Sequence, residues 1–203
     1  MTGILDIAKK IKGNCCEHLV KYIGQEYAIS GANVGLGSFK IDIGSFQNKI
    51  KEINAVPPIM MALDNNQYLL CQQASQLDDN PSLKDTCLRI RLMHIMAFTQ
   101  LQALLSIPLP SEELGKQILE WTSKMNELTT KSIDLLSPKP KMTYRVDRAP
   151  PTKGTGKNPI EGKTPRIAHI YSASAGKKTL LEIMKYQGIN ESQMQEALKI
   201  LKE

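Results

Sequence analysis

The sequence predicts an all-α protein: an up-and-down antiparallel four-helix bundle, or five pieces if the chain breaks at Pro57 and Pro58, then a Pro/Gly/Lys-rich linker and a small C-terminal helical hairpin. Three observations point there. Apolar residues recur at spacings of three and four over most of the first 137 residues, the period of one helical face. Aromatics make up only 5% of the chain while aliphatic residues and Met are plentiful, a balance that suits helix-on-helix packing better than sheets. Turns rich in Pro, Asn and Ser separate the periodic segments, and short turns imply antiparallel neighbours. At 203 residues the chain can bury one sizeable core and still have an appendage.

The first helix is expected over Ile4 to Tyr27, on the stripe Ile4, Ile7, Ala8, Ile11, Cys15, Leu19, Ile23 and Tyr27. Gly13 and Gly24 weaken it by up to about 1 kcal/mol each. A Gly-rich loop at 30–45 follows, where Phe39, Ile41 and Ile43 alternate with Lys40 and Asp42, the pattern of a loop with a short strand or hairpin. The helical pattern resumes from Phe46, meets Pro57 and Pro58, and runs on through Met60, Leu63, Gln67, Leu70, Ala74 and Leu77. Proline is tolerated in a first helical turn, so a kink or a fresh start is expected at that pair.

Asn80 and Pro81 read as N-cap and first residue of the next helix, which is apolar on nearly every side from Leu92 to Leu105 and should be the most buried of the bundle. Ser111, Glu112 and Glu113 start another, on the seam Leu114, Ile118, Trp121, Met125, Leu128 and Leu135, broken only by Ser132. These pieces make a bundle of residues 1–137.

Residues 138–178 read as a flexible basic linker. They hold 10 Lys+Arg against 2 Asp+Glu, whereas residues 1–137 hold 13 against 14 and residues 179–203 hold 3 against 4. The charges at Lys139, Lys141, Arg145, Arg148, Lys153, Lys157, Lys163 and Arg166 suit a solvated tether or an anionic membrane surface. Nucleic-acid binding through this segment is a further alternative, disfavoured because only Tyr144 and Tyr171 offer stacking surfaces. The hairpin of residues 179–203 should close through Leu180, Ile183 and Met184 against Met194, Leu198 and Leu201, with Gly188 as helix stop and Asn190 or Ser192 as cap. Some 25 residues cannot stand alone, so this hairpin docks on the bundle or binds a partner.

The stretch GTGKNPIEGKT, 154–164, imitates a phosphate-binding loop and fails as one. Counting back from Gly162, Lys163 and Thr164, the required glycine falls on Lys157, no apolar strand precedes the stretch, and Pro165 stands where a helix should continue. No nucleotide or other cofactor is expected. Cys15, Cys16, His18, Cys87 and His94 lack zinc-ligand spacing, and Cys87 lies two helical turns from His94, about 10 Å, too far for a nucleophile and its base. Lys9, Lys10 and Lys12 interrupt any leader-like apolar run, so a cytoplasmic protein with reduced, buried thiols is expected. Asp64, Arg89 and Arg91 stand out as polar groups on apolar helices, read as a register-fixing pair of Asp64 with Arg91 or Arg89.

The run ALDNNQYLLCQQASQLDDNPSLKDTCLRIRLMHIMAFTQLQALL, 62–105, resembles the helical-bundle domains of the HeLo and Bell type, attached to bacterial conflict and cell-death signalling proteins. Alongside this resemblance, which reaches residues 1–137 at most, the chain reads as a non-enzymatic interaction or signalling module whose bundle assembles with itself or a protein partner, while the tail hairpin recruits a partner through Leu180, Ile183, Met184, Met194, Leu198 and Leu201. The alternative that the resemblance implies is a membrane-active effector that inserts the apolar face of its first helix.

Overall fold

The computed structural model describes residues 3–13, 16–23, 26–31, 36–42, 51–108, 111–136 and 166–203. Helix α1 spans only Ile4–Ile11, an expectation of a helix to Tyr27 that the structure corrects. Asp6 accepts the Gly3 N–H at its start, and Lys9 and Lys10 sit in its last turn, each charge matched to the dipole end it faces. Gly13 does more than weaken the helix: at φ +72 it turns the chain out of it, a conformation that suits glycine.

In place of the rest of that helix stands a three-stranded antiparallel sheet in the order β1 (Val20–Ile23), β2 (Glu26–Gly31), β3 (Leu36–Asp42). The bundle is therefore not all-α. The register pairs Val20 with Ile29 and Ile29 with Phe39, and Tyr22 with Tyr27 and Tyr27 with Ile41. That places one apolar face on the helices, with Val20, Ile29 and Ile41 buried, while Lys21, Glu26 and Lys40 line the other, where Lys40 pairs with Glu26 at 3.1 Å. A spacing of four is one helical turn and also two full pleats, so apolar spacing alone does not separate helix from strand here. The discriminating signal was the density of Val20, Tyr22, Ile23, Tyr27 and Ile29, strand-favouring types in a short run. The alternation at Phe39 and Ile41 does form a strand.

A 3-10 turn at Lys51–Ala55 leads into α2 (Val56–Ala74), whose first turn holds Pro57 and Pro58, so the proline pair is a fresh start. Helix α3 (Pro81–Ser106) begins with Asn80 accepting the Leu83 N–H at 3.2 Å. It is the central helix, with every residue from Ile90 to Phe98 buried. Helix α4 (Ser111–Leu136) lays Leu114, Ile118, Trp121, Met125 and Leu128 on the core. Trp121 Nε1–H donates to the Ala97 carbonyl at 3.2 Å, and the buried Ser132 hydroxyl returns to the Leu128 carbonyl, which resolves the polar break in the seam.

The basic residues Lys139, Lys141, Arg145, Arg148, Lys153, Lys157 and Lys163 lie outside the described residues. Arg166 opens α5 (Arg166–Tyr186), so residues 166–178 belong to a helix and not to a linker. Ala168, Ala173 and Ala175 favour helix, and Pro165 stands just before its first residue. At its end Gly188, at φ +69, lets Ile189 N–H reach the Met184 carbonyl at 3.0 Å, and the buried Ile189 and Met184 side chains seal the turn. Helix α6 (Glu191–Lys202) starts with a reciprocal cap between Asn190 and Gln193.

Candidate functional site

The expectation that the tail hairpin offers its apolar seam to a partner is corrected by packing. Leu180, Ile183, Met184, Met194 and Leu198 are buried in the same core as the bundle, with Leu201 half-buried against it. Helix α6 packs on α1 and α3, and α5 packs on α4. Burial of that seam is what a hairpin too small for its own core requires. Polar contacts fix the pose. Arg89 grips Glu191 through two bonds of 2.7 Å each, Lys202 reaches Asp85 at 2.8 Å, Gln187 donates to the Met93 carbonyl at 2.8 Å, and Gln100 donates to the Tyr186 carbonyl at 3.2 Å. The Arg89 fork holds the Glu191 carboxyl down to about 2.

The pair expected between Asp64 and Arg89 or Arg91 does not form. Arg89 is engaged by the tail, as above. Asp64, 3% exposed, is filled instead by donors from the extended segment Cys16–Leu19: the Leu19 N–H at 2.6 Å and His18 Nδ1–H at 2.9 Å. Gln67 donates to the Glu17 carbonyl at 2.7 Å and to Asp64 at 3.3 Å, while the His18 ring stacks on Tyr68 with centroids 4.1 Å apart. Arg91, 4% exposed, is lowered to about 10 by burial, with the Glu17 charge opposing the shift. Asp64 and Arg91 thus each meet a group from the covering segment rather than one another.

That segment is also stapled covalently. Cys16 and Cys71 form a disulfide with Cα atoms 5.6 Å apart, which overturns the expectation of reduced thiols for this pair, while Cys87 is a free, buried thiol whose pKa is raised by burial. Asp64, Gln67 and Cys71, spaced three and four apart, make a single stripe on α2 that faces residues 16–19 one after another. The stripe was visible in the sequence, but its partner was hidden by the reading of residues 15–23 as helix. His94, fully buried, donates Nδ1–H to the Ile90 carbonyl at 2.8 Å, and burial lowers its pKa to about 4, so it is a neutral core group.

Where the tail meets the body a cavity of about 540 Å³ remains. Ile90, Met93, Leu135, Leu180 and Met184 line it with apolar surface, and Arg89, Glu191 and Lys177 add charge. Leu181, 46% exposed, stands at its edge. A smaller groove of about 220 Å³ lies between α2 and α4 beside Leu69 and Ile133. Among the described residues no group of three or more His, Cys, Asp or Glu could hold a metal, and no helix is long and apolar enough to cross a membrane. No family model, curated protein or solved structure matches the chain.

Proposed function

We propose that the chain is a non-enzymatic interaction and signalling module that takes an apolar anchor of a protein partner into the cavity between the body and the docked tail. The observation behind this reading is the cavity itself. Its volume lies within the roughly 300–1,000 Å³ of binding pockets, its walls are mostly apolar, and Lys177 and the Arg89–Glu191 pair add polar groups to the lining. Such a pocket supplies affinity by desolvating an anchor side chain and direction through the charges around it. The tail contributes Leu180, Leu181 and Met184 to the walls, so its part is to build the pocket together with α3 and not to present a free apolar face.

The test is a displayed-peptide selection against the full chain, followed by titration against surface variants. Selected peptides should bear an apolar anchor and lose at least about tenfold in affinity on Leu181→Glu, about 1.4 kcal/mol. They should be indifferent to Leu119→Glu, whose leucine is 57% exposed on α4 and absent from the cavity wall. Peptides equally insensitive to both changes, or no selectable peptide at all, would refute the reading.

A further inference from the structure

We infer that the Cys16–Cys71 disulfide is a thiol-exchange site that latches residues 16–19 over a polar floor formed by Asp64, Gln67 and Arg91, and that a dithiol reductant opens the latch. The contacts run in sequence order. Cys16 is bonded to Cys71, the Glu17 carbonyl accepts from Gln67, and Leu19 N–H and His18 bond Asp64, so four consecutive residues are fastened in register along one helix. What they cover is unusual for a core: a carboxylate and a guanidinium, 3% and 4% exposed, with Arg91 Nε lacking a hydrogen-bond partner. A covering made only for stability would lie more cheaply over apolar side chains. A floor of two charges can be solvated once the segment lifts, which lowers the free-energy cost of opening there compared with lifting it from an apolar surface.

The two sulfurs differ in access. Cys71 is 7% exposed, and Cys16, on the extended segment, is half-buried. A thiolate of the reductant therefore attacks Cys16 Sγ. The bond to Cys71 breaks, its electron pair leaves on Cys71 Sγ, and that sulfur takes up a proton. The reductant's second thiolate then displaces Cys16, which also leaves protonated. The protein ends as two thiols and the reductant as a disulfide, two electrons having passed. Residues 16–19 then hold by their polar bonds and the buried Leu19 side chain, and β1, the edge strand that continues from Leu19, loses its covalent tie to α2.

The experiment compares amide exchange by NMR in the folded, oxidised full chain, after addition of dithiothreitol, and after reoxidation. Leu19, whose N–H points at Asp64, and Val20 to Ile23 should exchange at least about tenfold faster when reduced and recover on reoxidation. Amides from Leu92 to Phe98 in α3 should be unchanged. Iodoacetamide added to the reduced chain should label the Cys16 and Cys71 peptides. Cys71→Ser should reproduce the reduced pattern without any reductant. Leu19 exchange within about twofold of the oxidised rate, or equal acceleration throughout α3, would overturn the latch; the first outcome means a staple without motion, the second global loosening.

Discussion

Replacing Asp64 by Ala is the sharpest probe of how the covering segment is held. The side chain is 3% exposed and accepts from Leu19, His18 and Gln67. In the variant Gln67 keeps its bond to the Glu17 carbonyl, and the half-exposed His18 ring can turn to water. The Leu19 N–H has no such escape, because Leu19 is fully buried. An orphaned buried donor costs about 1–3 kcal/mol, and bonds to a charged acceptor are worth about 1.5–3 kcal/mol each, offset in part by no longer burying a carboxylate. The expected net loss is about 3 kcal/mol. Urea unfolding of the oxidised chain, followed by the fluorescence of Trp121, the single tryptophan, should show a midpoint lowered by about 1.5 M at a slope of about 2 kcal/mol/M. Asp64→Asn keeps an oxygen for Leu19 and should lose only about 1 kcal/mol. A loss under about 0.5 kcal/mol in Asp64→Ala, or an equal loss in both variants, would refute the reasoning.

Two further outcomes follow from single features. The imidazole of His94 titrates near 6.5 when unfolded and about 4 when folded, so the unfolded chain binds the proton more readily in that window. Its contribution is complete above pH 6.5 and is lost as pH falls toward 4, by up to about 1.4 kcal/mol per pH unit; His94→Leu should flatten that part of the stability profile, and an unchanged slope would rule His94 out as its source. Gly188→Ala meets no neighbouring atom but must adopt φ +69, so it should cost about 1 kcal/mol, read as a drop in Tm, while Gly188→Asn should cost less.

Helices α3, α4 and α6 and the end of α5 could be read directly, because each boundary there has its own local chemistry. Asn80 with Pro81, the Glu pair after Ser111, Gly188 and Asn190 all act where they stand in the sequence. The segment from Val20 to Asp42 could not be read that way from apolar spacing, since the spacing of four at Leu19, Ile23 and Tyr27 imitates a helical stripe while the hairpin register sets Tyr27 opposite Tyr22 and Ile23 opposite Glu26. The polar residues show the same division. Asp64 and Arg91 were recognisable as buried charges on apolar helices, yet their neighbours depend on where residues 16–19 travel. Arg89 finds Glu191 across 102 positions, a pairing no spacing rule encodes. The cavity is further still from the sequence, as its walls come from four helices.

The docking of α6 on α1 also sets a schedule for synthesis. Ile4, Ile7, Ala8 and Ile11 emerge early, yet the helix that covers them begins only at Glu191, 180 positions after Ile11. At about 5–20 residues per second a ribosome needs on the order of 10–40 s to cover that interval. Throughout it the nascent chain carries an amphipathic stub whose apolar stripe lacks that cover, and the twelve-residue helix α6 is what finally takes it out of water.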